Sequence, residues 1–178
     1  MDALLIDDFT RTLYVCNRIA SEAAQLLHVA WLEIRGKIAS KMLTRNSTYC
    51  AYLVYRLVPG ALGLGFPFQE ALVSVRGSES TRRVCLHGYD DDDFGGVVPR
   101  KYVQDATRLW RMDYPTVPVE DDVVLPRRRA DGWMELELGN CFYNHEDDDG
   151  EVRVSLSETK RLFPKKGLIV RSIEFRIK

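Results

Sequence analysis

The residues best suited to chemistry lie in one run, Asn144-His-Glu-Asp-Asp-Asp-Gly-Glu-Val-Arg-Val-Ser-Leu-Ser-Glu158. Carboxylates and amides accept hydrogen bonds from hydroxyls, so Asn144, Glu151 and Glu158 suit a hydroxyl-rich ligand. Such a ligand also has an apolar C–H face, for which an aromatic plane is the natural partner. Trp31 and Trp133 stand among charged neighbours, as a platform for that face would. A tryptophan there also serves simply to cover apolar area where a sheet leans on a loop. The acidic runs at residues 90–93 and 146–149 crowd oxygen atoms that a hard cation wants, but neither has EF-hand spacing. Solvated loops are their plainer account, and no metal or cofactor is expected. His28, His87 and His145 are far apart, and no nucleophile stands beside a base, so the chain does not read as an enzyme.

Side chains of this kind need a scaffold, and alternation with period two supplies it. In residues 30–38, Leu32, Ile34 and Ile38 share one face, while Trp31, Glu33, Arg35 and Lys37 share the other. Residues 49–57 are apolar on both faces, as a central strand should be. Residues 71–75 make a shorter candidate. Met134, Leu136 and Leu138 alternate with Trp133, Glu135 and Glu137. Val152, Val154 and Leu156 alternate with Arg153, Ser155 and Ser157. Last, Ile169, Ile173, Phe175 and Ile177 alternate with Val170, Ser172, Glu174 and Arg176. Short strands in series predict an all-β, antiparallel β-sandwich. One or two short helices are expected, at residues 21–28 behind Ser21 as N-cap and near residues 104–110. Residues 77–131, rich in glycine, proline and charge, read as irregular.

The whole chain is 178 residues, 46% hydrophobic and 29% charged, which is one globular domain rather than a disordered chain. A net charge of −1 excludes nucleic-acid binding as its main business, because phosphate recognition shows a basic excess. Arg127, Arg128 and Arg129 form a short basic cluster that reads as a solvated loop. No run approaches the roughly 18 apolar residues of a spanning helix. Asp2, Asp7 and Asp8, with no basic residue before them, differ from a secretory start. Export is therefore not expected, the sequon Asn46-Ser-Thr48 should stay unmodified, and Cys16, Cys50, Cys85 and Cys141 should be reduced thiols.

Several ordered blocks resemble the phloem protein 2 family of plants, the Nictaba-like lectins. They are Val29-Ala-Trp-Leu-Glu-Ile-Arg-Gly-Lys-Ile38, Ser47-Thr-Tyr-Cys-Ala-Tyr-Leu-Val-Tyr-Arg-Leu57, Leu125-Pro, Asp131-Gly-Trp-Met-Glu-Leu-Glu-Leu-Gly139, Asp149-Gly-Glu-Val152 and Lys166-Gly-Leu-Ile-Val170. The resemblance divides the chain into a variable segment, residues 1–21, and a carbohydrate-binding domain, residues 22–178. It implies a jelly-roll sandwich that binds N-acetylglucosamine oligomers and N-glycan cores in the plant cytoplasm or nucleus. Its partners would be such oligosaccharides or glycoproteins, with homodimer formation left open. Glu151 and Glu158 match two family glutamates linked to the sugar site.

Family members carry two closely spaced tryptophans ahead of the Trp31 strand. Residues 5–25 hold Phe9 and Tyr14 but no tryptophan, and Phe163 stands near another family tryptophan. Two alternatives follow: a protein-interaction scaffold with a degenerate sugar site, or the recognition part of an F-box ubiquitin ligase.

Overall fold

A strand with one apolar face must bury it, and here two six-stranded sheets do so against each other. The computed structural model describes residues 5–7, 12–14, 23–91, 97–99, 102–104, 116–145, 150–161 and 163–178. In chain order the strands are β1 (Leu5–Asp7), β2 (Thr12–Tyr14), β3 (Ala24–Gln25), β4 (Leu32–Ala39), β5 (Ser47–Leu62), β6 (Gln69–Val75), β7 (Ser78–Val84) and β8 (Tyr89–Asp91). They continue with β9 (Val97–Pro99), β10 (Tyr102–Gln104), β11 (Thr116–Pro118), β12 (Arg127–Arg128), β13 (Met134–Glu137), β14 (Phe142–Asn144), β15 (Glu151–Glu158) and β16 (Lys166–Ile177).

Sheet A has the order β1-β2-β4-β15-β6-β7, and sheet B the order β12-β13-β5-β16-β3 with β14 also on β5. Small ribbons join β8 to β9 and β10 to β11. The strand β2 runs parallel to β4, and the remaining pairings between these strands are antiparallel. Leu32, Ile34 and Ile38 of β4 and Val152, Val154 and Leu156 of β15 meet Leu53 and Tyr55 of β5 and Leu136 of β13 in one buried cluster. The antiparallel β-sandwich expected from the alternation is what forms.

Four local expectations are corrected. Within the helix expected at residues 21–28, Ala24–Gln25 is instead strand β3, bonded to Val170 and Ile169; sheet pairing overrides a weak local propensity. The one helical element among the described residues is a 3₁₀ turn, Ser40–Met42. Of the turn expected at residues 104–110, Gln104 ends β10 and the rest lies outside the described residues.

The last strand does not alternate as one unit. Its register on β5 shifts between Val170 and Ser172, so Leu168 and Val170 are buried before Arg171, and Ile173 after it. A β-bulge at Arg171 explains the shift, because one extra residue exchanges the two faces.

Part of the stretch read as irregular is the polar strand β7. It returns from β6 through Arg76 and Gly77, both at positive φ (53° and 79°), the backbone of a two-residue type I′ hairpin.

The fourth correction concerns the thiols. Cys50 is bonded to Cys141, because the pairing of Phe142 with Tyr49 brings residue 141 opposite residue 50, with Cα atoms 4.3 Å apart. A sequence separation of 91 carries no framework pattern, so register alone exposes the pair. Cys85 is outside the disulfide and donates its thiol hydrogen to Gly65 O at 3.4 Å. Cys16 lies outside the described residues.

Candidate functional site

Side chains alternate across β15, and this places the two candidate glutamates on opposite faces. Val152, Val154, Leu156 and Glu158 turn inward, while Glu151, Arg153, Ser155 and Ser157 turn outward. Along the strand, the two glutamates are about 23 Å apart.

Glu151 opens onto the outer face of sheet A. There the register sets Lys37 beside Arg153 and Ser74, Arg35 beside Ser155 and Leu72, and Glu33 beside Ser157 and Glu70. A cleft of about 470 Å³ lies over this surface, with Glu33, Lys37, Leu72, Glu151 and Arg153 among its walls. Arg153 Nε donates to Glu151 Oε1 at 2.7 Å, and Lys37 Nζ lies 3.1 Å from Oε2. The hydrogen bond from Arg153, then that from Lys37, holds the Glu151 carboxyl below the ordinary glutamate range. Glu151 is thus an ionised acceptor, oriented by two cations, at an open surface.

Glu158 is only 5% exposed and belongs to the core. Its Oε1 accepts the Arg161 N–H at 3.1 Å, and its Oε2 meets Lys165 Nζ at 2.5 Å. Lys165 is fully buried and also donates to Ala30 O at 2.7 Å and Phe163 O at 3.1 Å. This pair fastens the loop after β15 to the chain entering β4.

Asn144 is buried at the end of β14. Its amide nitrogen faces three carbonyls, Thr44 O at 3.0 Å, Leu43 O at 3.3 Å and Ser40 O at 3.4 Å. It clamps the turn that leads from the 3₁₀ element into β5.

Trp133 is half-buried in the hairpin between β12 and β13, on sheet B. The Arg56 guanidinium lies over its ring 4.3 Å from the centroid, and that of Arg171 5.3 Å away. The bulge aims Arg171 there, and Asp131 holds the hairpin by accepting from Trp133 N at 3.1 Å and Arg171 at 3.1 Å. Trp31 remains 52% exposed at the head of β4.

The four candidate residues therefore do not converge; the structure leaves Glu151 on an open face and engages Glu158, Asn144 and Trp133 in holding elements together. A second cleft of about 230 Å³ is walled by Phe66, Phe68, Glu70, Ser157, Glu158 and Lys160, so the candidate Glu158 borders it, but sequence reasoning missed its phenyl rings. Their signal was Gly65-Phe-Pro-Phe68, aromatic residues in a turn rather than a strand. Among the described residues no group of three or more His, Cys, Asp or Glu is placed to hold a metal, and no helix is long and apolar enough to cross a membrane.

A family model described as Phloem protein 2 matches residues 11–177. Among curated proteins of Arabidopsis thaliana, the chain is 35% identical to the F-box protein PP2-B10 over 158 residues, covering 87% of this chain and 48% of that protein. It is 37% identical over 156 residues to the putative F-box protein PP2-B2, covering 87% of this chain and 43% of that protein. With the F-box protein VBF the identity is 34% over 161 residues, covering 89% and 55%. The chain spans about half the length of the curated relatives it matches.

Proposed function

The chain belongs to the phloem protein 2 family, and from that premise we propose that it is a carbohydrate-binding module for N-acetylglucosamine oligomers and N-glycan cores. The observation that carries this reading is Glu151, an ionised acceptor held by Arg153 and Lys37 at the wall of an open cleft. Sugar hydroxyls donate to such a carboxylate, and Ser74 and Ser155, which line the same cleft, both donate and accept. We assign it no catalytic role, and we place it in the cytoplasm or nucleus of plant cells, as the family resemblance implies, where the Cys50–Cys141 bridge would have to withstand a reducing environment.

Hydroxyl bonds to protein mostly replace bonds to water, so the affinity belongs in the millimolar to micromolar range, about −4 to −8 kcal/mol. Calorimetry with a chitin trimer tests this. Heat from the wild type, and binding about tenfold weaker in Glu151→Gln, is the expected result. No heat at millimolar sugar sinks the sugar reading.

In a second reading the same fold recognises a protein, as an interaction scaffold or as the recognition part of an F-box ubiquitin ligase. The names of the relatives favour it, and so does the engagement of Glu158, Asn144 and Trp133 within the fold. Capture of a non-glycosylated partner by a protein that binds no glycan on an array decides for it.

A further inference from the structure

The outer side of sheet A is longer than the cleft at Glu151. Following β15, the outward residues are Glu151, Arg153, Ser155 and Ser157, six residue steps or about 20 Å of strand. The larger cleft takes up the first part of this line, and the smaller one begins at Ser157, which is paired in register with Glu70. Two hollows in series on one sheet face, along one strand, together cover a length far greater than one pyranose.

The two hollows differ in what they offer. Among the described residues no aromatic ring lines the larger one, where Leu72 is the main apolar contribution. The smaller one has Phe66 and Phe68, both part-buried, with ring centroids 5.4 Å apart in an edge-to-face arrangement. Behind them Cys85 and Val123 fill a small apolar cluster. The rim is polar: Lys160 Nζ sits 2.7 Å from Glu70 Oε1. A carbohydrate needs a place for its C–H face as well as for its hydroxyls, and the smaller hollow supplies the rings that are missing from the described lining of the larger one.

The aromatic wall is also held in place before any ligand arrives. Gln69 is fully buried; it donates to Pro67 O at 2.7 Å and accepts the Leu86 N–H at 3.0 Å. His87 N donates to Leu64 O at 3.0 Å, and the Tyr55 hydroxyl fixes Leu86 O at 2.6 Å. A wall fixed by buried hydrogen bonds loses little freedom when it binds. The backbone of β15 is already bonded on both sides, to β4 and β6, so an added peptide strand finds no free edge there. A ligand on this face must be read by side chains.

We propose that the outer face of sheet A is one groove for a linear oligosaccharide lying along β15, with Phe66 and Phe68 as an aromatic subsite at the end away from Glu151. The proposal rests on the sugar reading above and adds to it a direction, a minimum ligand length and a subsite. One terminal sugar stacks on the phenyl rings, Lys160 donates to its acetamido oxygen or hydroxyls, and Glu70 accepts from them. The preceding sugars pass Ser157, Ser155 and Leu72 toward Glu151.

The test is a chitin-oligomer series, dimer to hexamer, titrated into the full 178-residue chain. In wild type the hexamer should bind about tenfold more tightly than the dimer, the increment of an aromatic stack. Phe66→Leu and Phe68→Leu keep the packing on Val123 but remove the ring; either should bring that ratio close to one with the melting temperature held. Glu151→Gln should weaken both oligomers and preserve the ratio. Amide resonances of Phe66, Phe68, Gln69 and Glu70 and of residues 157–160 should move with hexamer and not with dimer. A hexamer no tighter than the dimer, or a ratio untouched in both leucine variants, overturns the groove while leaving sugar binding at Glu151 intact. Failure of every oligomer to bind wild type removes the sugar reading and the groove with it.

Discussion

Two glutamates seven positions apart have opposite duties, and the difference is parity along β15. Glu158 shares the inward face with Leu156 and is paired with a fully buried lysine. Removing one member of a buried pair leaves the other charge without compensation. Glu158→Gln should therefore cost about 3 kcal/mol, which for a domain of this size lowers the melting temperature by about 6–12 °C. Glu151→Gln should leave the melting temperature within about 2 °C, as surface changes do. Thermal melts of the two variants check this, and equal effects would refute the division of labour. Acid should act on Glu151 as well. Its pKa is depressed in the folded chain by Arg153 and Lys37, so its charge and the interactions it supports persist through the usual carboxylate range and are lost only as pH falls further. Trimer affinity should accordingly stay level from about pH 7 down through the ordinary glutamate range, about pH 4.3, and decline only below it. A loss already complete at about pH 5 would show that another group governs binding.

Strands were legible where alternation was uninterrupted, as in β4, β13 and β15, whose inward residues are those expected. The faces of β16 were not, because an extra residue at Arg171 exchanges them and no local pattern announces a bulge. The polar sequence of β7, Ser-Glu-Ser-Thr-Arg-Arg-Val, carries no alternation and takes its place from the hairpin with β6. The site was partly legible: Glu151 stands out as an acceptor, whereas Phe66 and Phe68 gain meaning only when their turn is seen beside Ser157. The disulfide was hidden for the same reason, since it depends on which strands pair. Denatured without reductant, the protein should show no more than two reactive thiols, and four after reduction. Cys141→Ser should destabilise the oxidised protein by about 2–5 kcal/mol, because the bond closes a long loop. Four reactive thiols before reduction would mean that the bridge does not form in the native chain.

At the scale of the molecule, the outer faces of the two sheets are occupied in different ways. Sheet B covers its own face: Arg176 reaches Glu135 at 2.7 Å and lies 3.9 Å over the Tyr52 ring, Arg129 reaches Glu174 at 3.0 Å, and two guanidiniums lie over Trp133. Sheet A pairs charges too, Glu151 with Arg153 and Lys37, Glu33 with Arg35 and Glu70 with Lys160, and among the described residues a cleft lies over this face. Signs alternate there, so the groove has no strong net field to attract a polyanion, in keeping with a net charge of −1 for the whole chain. Recognition must then come from short-range hydrogen bonds and stacking, which salt does not screen. Chitin-oligomer affinity should change by less than about twofold between about 0.05 and about 0.5 M salt, whereas phosphate contacts would lose orders of magnitude over that span. Calorimetry at the two salt concentrations separates these cases. A steep loss with salt for this uncharged oligomer would overturn the assignment of binding to short-range contacts.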